Sequence, residues 1–81
     1  MNCELKSVEP ASDYTLILTF NNDEIRIFDI QHYYDIGIFK ELKDISLFRS
    51  VRKSFDTVEW PNEADIDPET LYNESKSIKS N

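Results

Sequence analysis

Four side chains able to hold a cation or move a proton stand at alternate positions in one acidic run, Glu63, Asp65, Asp67 and Glu69. Alternate carboxylates of this kind are what a hard cation such as calcium takes from a loop. The spacing excludes an EF-hand-type site. Counted from Asp65, Thr70 stands at position six, where glycine is required, and Lys76 at position twelve, where glutamate is required, while Pro68 stiffens the middle. Asp67-Pro68-Glu69-Thr70-Leu71-Tyr72 reads instead as a helix start: Asp67 caps, Pro68 takes the first helical position without wasting a donor, and Glu69 favours the positive end of the dipole. His32 is the only histidine, and a lone imidazole between Gln31 and Tyr33 makes neither a metal site nor an acid–base pair. The single cysteine, Cys3, has Glu4 rather than a cation beside it, so nothing favours a nucleophilic thiolate. With one glycine in the chain there is no glycine-rich phosphate loop. The sequence therefore predicts no catalytic residue, no metal and no cofactor, and a protein that is not an enzyme.

Two constellations bear on binding. Arg49, Arg52 and Lys53 form the one basic concentration, preceded by Lys40 and Lys43 and flanked by Phe48 and Phe55. Basic residues interleaved with aromatics suit single-stranded nucleic acid. Here, however, Glu41, Asp44, Asp56 and Glu59 are interspersed and both phenylalanines fall on apolar positions of the local period, which predicts a solvated mixed-charge face over core aromatics. The pair Tyr33-Tyr34 lies on a helical turn, where two adjacent rings cannot both point inward; one half-exposed ring makes this pair the candidate interaction surface. Trp60 shares a face with Val58 and reads as core.

The elements that must position these groups follow from periodicity. Tyr14 to Phe20 alternates, with Tyr14, Leu16, Leu18 and Phe20 on one face and Thr15, Ile17 and Thr19 on the other. Asn21-Asn22-Asp23 supplies turn residues, and Glu24 to Asp29 resumes the alternation with Ile25 and Ile27 on one side, predicting a hairpin. Leu5 to Glu9 is a weaker strand ending at Pro10. From Asp29 to Ser50 apolar residues recur every three or four positions, predicting short helical turns broken at Gly37 and capped by Asp29 and Asp44. Val51 to Phe55 and Thr57 to Trp60 predict a second hairpin around Asp56. The expected fold is α+β: a small antiparallel sheet, made of two hairpins plus an N-terminal strand, packed by short helices.

Length and charge bound the rest. Eighty-one residues give a single domain, assigned to residues 1–75, with 76–81 as a frayed C-terminal tail. A core this small leaves a thin stability margin, so a homodimer or a small protein partner is expected, through either the Leu5 to Glu9 edge or the Tyr33-Tyr34 turn. The net charge of −7 opposes binding of nucleic acid by this chain alone, since phosphate neutralisation needs a basic surface. No apolar stretch is long enough to span a membrane, and the N-terminus lacks a basic region followed by an apolar one. With the lone cysteine, this predicts a cytoplasmic protein.

Several of these segments together resemble a known family. Tyr-x-Leu-x-Leu-x-Phe at Tyr14 to Phe20, Ile-Arg-Ile-Phe-Asp at Ile25 to Asp29, Gly-x-Phe-x-x-Leu at Gly37 to Leu42, then Leu47-Phe48 and finally Val58-Glu59-Trp60-Pro61-Asn62 leading into Asp65-Ile66-Asp67-Pro68-Glu69-Thr70-Leu71-Tyr72, are similar to the small bacterial family known as domain of unknown function twenty-four forty-two. Glu63 stands where that family usually has glycine. The resemblance implies an α+β fold and no reaction. It also implies a partner, since members are often encoded beside small proteins that look like toxin–antitoxin components. The expected function is a non-catalytic protein-binding or regulatory module. The alternative is an accessory domain of a nucleic-acid-binding transcriptional regulator, which rests on Arg49, Arg52 and Lys53 and on longer relatives with an added helix-turn-helix.

Overall fold

The computed structural model describes residues 4–79. The chain runs β1 (Leu5–Ala11), a 3-10 turn (Ser12–Tyr14), β2 (Thr15–Phe20), β3 (Ile25–Asp29), two further 3-10 segments (Ile30–Tyr33 and Gly37–Lys43), α1 (Ile45–Phe48), β4 (Arg52–Ser54), β5 (Thr57–Glu59), α2 (Pro68–Glu74) and β6 (Lys76–Lys79). One antiparallel sheet has the order β1-β2-β3-β6, and β4-β5 forms a second, two-stranded sheet. The α+β class, both hairpins and the N-terminal strand are as the sequence predicts. Pairing of β1 continues through Pro10 to Ala11, because β1 is an edge strand and can spare a donor.

The register of the β2–β3 hairpin is set by its turn. Phe20 N–H donates to the Glu24 carbonyl and Asp23 N–H to the Phe20 carbonyl, each at 3.0 Å, and Asp23 takes a left-handed backbone (φ 68°). A three-residue loop closed by a left-handed residue is a standard hairpin connection, and aspartate tolerates that conformation. The resulting pairs are Leu16 with Phe28, Ile17 with Ile27, Leu18 with Arg26 and Thr19 with Ile25. Leu16, Leu18, Phe20 and Phe28 are buried, so Arg26 lies on the core face and Ile25 and Ile27 lie on the opposite one.

One core follows from that face. Leu5, Leu16, Leu18, Phe20 and Phe28 of the sheet meet Ile30, Leu42, Phe48, Val58, Trp60, Ile66 and Leu71. Trp60 is fully buried and its indole N–H donates to the Phe48 carbonyl at 2.9 Å, which ties the second hairpin to α1. The predicted caps are in place: Asp29 accepts from Gln31 N–H, Asp44 from Ser46 N–H, and Asp67 from Glu69 and Thr70 N–H. Ile38 and Ile45, predicted inside by the helical period, are 40% and 48% exposed. Ile38 lies in the 3-10 segment, where three residues per turn carry a 3.6-residue pattern off the buried face, and Ile45 is the first residue of α1.

Two further expectations change. Residues 76–79 are not a loose tail: Lys76–Lys79 pairs antiparallel with β3, filling an edge that would otherwise leave backbone groups unpaired. Ser80 and Asn81 lie outside the described residues, as does Cys3. Phe55 is not a core aromatic; at the β4–β5 turn it is 89% exposed, with a left-handed backbone (φ 55°).

After Trp60-Pro61-Asn62 the chain turns tightly: Glu63 N–H donates to the Trp60 carbonyl and Trp60 N–H to the Ala64 carbonyl, each at 2.9 Å, with Glu63 at φ 74°. The turn that the resemblance associates with glycine is thus kept, with glutamate bearing the steric cost of the left-handed region, on the order of 1 kcal/mol. Glu63→Gly is expected to stabilise the chain by about 0.5–1 kcal/mol in thermal or urea denaturation. A loss of stability would contradict this account of the turn.

Candidate functional site

The polar groups brought together at the β3–α2 junction form a clamp rather than a reaction centre. Arg26 donates from Nε to Ser75 Oγ and from Nη2 to the Ser75 carbonyl, both at 2.6 Å, and from Nη1 to Glu24 Oε2 at 2.8 Å. Its guanidinium stacks 4.3 Å from the centre of the Tyr72 ring. The Tyr72 hydroxyl donates to Glu24 Oε1 at 2.5 Å, closing the circuit. The side chains of Arg26 and Glu24 are only 13% and 14% exposed, so these charge-assisted bonds work with little competing water. The Tyr72 hydroxyl, helped by Asn22 and Arg26, holds the Glu24 carboxyl below its ordinary value despite the opposing cost of burial.

Tyr33 and Tyr34, the pair expected to offer a binding face, are both half-buried and both pack on the core. Tyr33 sits beside Phe28 and Phe39 and donates to Glu74 Oε1 at 2.6 Å; burial and that carboxylate push its hydroxyl up to about 12. Tyr34 meets Tyr14 edge to face, and its hydroxyl is buried with no hydrogen-bond partner. Burial, with Tyr14 and Asp29 nearby, raises it further above the ordinary tyrosine range. Both rings pack against the core, Tyr33 beside Phe28 and Phe39 and Tyr34 beside Tyr14.

Arg49, Arg52 and Lys53 are all exposed. Arg52 pairs loosely with Glu59 at 3.5 Å across the β4–β5 hairpin. In the acidic run, Asp67 is occupied as a cap, Glu63 turns the chain, and Asp65 bridges to β5 through its backbone. Among the described residues, no group of three or more His, Cys, Asp or Glu side chains is placed to hold a metal. None of the described helices is long and apolar enough to cross a membrane.

What the sequence did not single out is the tip of the second hairpin. Phe55 projects there beside a concavity of about 490 Å³, lined also by Asp56, Thr57, Glu59, Asp65 and Pro68. A smaller hollow of about 270 Å³ lies at the free end of β3, between Ile27, Asp29, His32, Glu74 and Lys76. The alternation in the sequence ends the first run at Phe55 and leaves Asp56 alone between the strands, whereas β4 stops at Ser54 and the two-residue connection takes in Phe55, where a turn exposes whatever side chain it carries.

A family model described as "Protein of unknown function (DUF2442)" matches residues 5–77. No curated protein and no solved structure matches the chain.

Because folding depresses the Glu24 value, the clamp's contribution is present above the unfolded carboxyl value of about 4.3 and is lost as pH falls through the folded one. Glu24→Gln is therefore expected to lower the melting temperature at neutral pH, and the gap from wild type should close as the pH falls below the ordinary carboxyl range. A gap of constant size across that range would show that the carboxylate charge is not what the clamp uses.

Proposed function

The chain belongs to the DUF2442 family, and on that premise we propose that it is a non-catalytic protein-binding module that engages a small protein partner through the tip of the β4–β5 hairpin. The observation that supports this reading is the state of Phe55. Its ring is almost wholly in water and its backbone is left-handed, a conformation that glycine or asparagine adopts at far lower cost. A turn chosen for stability alone would not carry phenylalanine there. Aromatic side chains are strong anchors when a partner's pocket desolvates them, and a concavity beside the ring offers a matching surface.

The nucleic-acid reading draws on the same hairpin, since Arg52 and Lys53 are exposed on β4 next to Phe55. It is opposed by Asp56, Glu59 and Asp65 around the tip and by a net charge of −7, which repel phosphates.

Phe55→Gly separates these ideas. It is expected to leave stability unchanged or raise it by up to about 1 kcal/mol, because the strain is removed and no packing is lost. In captures with the tagged chain from its source cells, the partner bound by wild type should be lost with the variant. Equal recovery by both chains contradicts the proposal. Salt-sensitive binding of single-stranded nucleic acid that disappears in Arg52→Glu would replace it with the alternative.

A further inference from the structure

The outer face of the four-stranded sheet carries Ile17, Ile25 and Ile27, none of which packs on the core, with Thr15 and Thr19 beside them. The strand registers align one row straight across this face: Glu9 pairs with Ile17, Ile17 with Ile27, and Ile27 with Lys76. The row thus reads acid, apolar, apolar, base, from the β1 edge to the β6 edge. Glu9 and Lys76 are both exposed, and among the described residues neither has an ionic partner.

We propose that this face is the contact of a two-fold homodimer, with the axis parallel to the strands and passing between β2 and β3. Rotation about that axis lays β1 of one copy over β6 of the other and β2 over β3. Ile17 then meets the second copy's Ile27, and Glu9 meets its Lys76, twice per dimer. A two-fold axis perpendicular to the strands instead sets Glu9 over Glu9 and Lys76 over Lys76, so the charge order selects the first arrangement. Sheets packed face to face lie about 10 Å apart with strands nearly aligned, a gap that a glutamate and a lysine reaching from opposite edges can span. The occupant is a second copy rather than another protein because the row is complementary to itself. The contact is independent of the hairpin tip. It also differs from both surfaces that the sequence suggested: the Tyr33-Tyr34 turn is taken up by the core, and the β1 edge is blunted by Pro10 and an irregularity between Leu5 and Ser7.

Sedimentation equilibrium across roughly 5–300 micromolar tests this directly, the range in which micromolar dimers are half formed. Wild type should move from 9.6 kDa toward twice that mass. Glu9→Lys should weaken association on the order of tenfold, since it turns two attractive contacts into two repulsive ones, and Lys76→Glu should do the same. The double exchange Glu9→Lys with Lys76→Glu should restore it to near the wild-type value. Both positions are exposed, so circular dichroism should stay unchanged and report that each variant is folded. Ile27→Asp should give a monomer throughout. A wild-type monomer at every concentration overturns the proposal, as does a dimer that ignores these charge changes or that the double exchange fails to restore.

Discussion

The β2–β3 register governs the rest of the molecule. Three turn residues, Asn21, Asn22 and Asp23, fix which side chains of β3 face the core, and a shift of one residue would exchange them all. As closed, the turn sends Arg26 and Phe28 inward and Ile25 and Ile27 outward. A guanidinium at the core margin is costly unless it is paired and hydrogen-bonded, and here three hydrogen bonds to Ser75 and Glu24 and the face of the Tyr72 ring engage it. The requirement that Arg26 be satisfied is what brings the end of α2 back to β3 and starts β6 along its edge.

The same choice leaves its mark on the other side of the sheet. Two isoleucines that a different loop length would have buried stand on the outer face next to Ile17, in the row between Glu9 on one edge strand and Lys76 on the other. Arg26 inside and isoleucine outside are one event seen from two faces. The hairpin tip follows a similar logic on a smaller scale: a two-residue connection between β4 and β5 cannot hide Phe55, and its left-handed backbone adds cost without packing gain. That disagreement between local preference and structure at an exposed ring is what the proposed binding role rests on.

Local chemistry made much of this fold legible. The caps at Asp29, Asp44 and Asp67 are read from neighbouring residues, as is the alternation of Leu16, Leu18 and Phe20, and all are found where expected. The inward side of β3 was not legible, because Ile25 and Ile27 outweigh Phe28 in any reading of hydrophobic pattern, and only the hydrogen bonds of the turn decide the register. Strand β6 was hidden for a related reason. Ser75 to Lys79 has little strand character of its own and is held by Arg26, 49 residues earlier. Tyr33 and Tyr34, read as a pair with one ring half exposed, are both half-buried and both pack against the core, Tyr33 ending the 3-10 turn and Tyr34 capping it.

Hydrogen exchange on Arg26→Met, read residue by residue, tests most directly whether the inward arginine holds the C-terminal elements in place. Amides of β6 and of the last turn of α2 should exchange at least about tenfold faster than in wild type, while those of the β1–β2 ladder keep their protection. If β6 remains as protected in the variant as in the wild type, the arginine clamp is not what places α2 and β6.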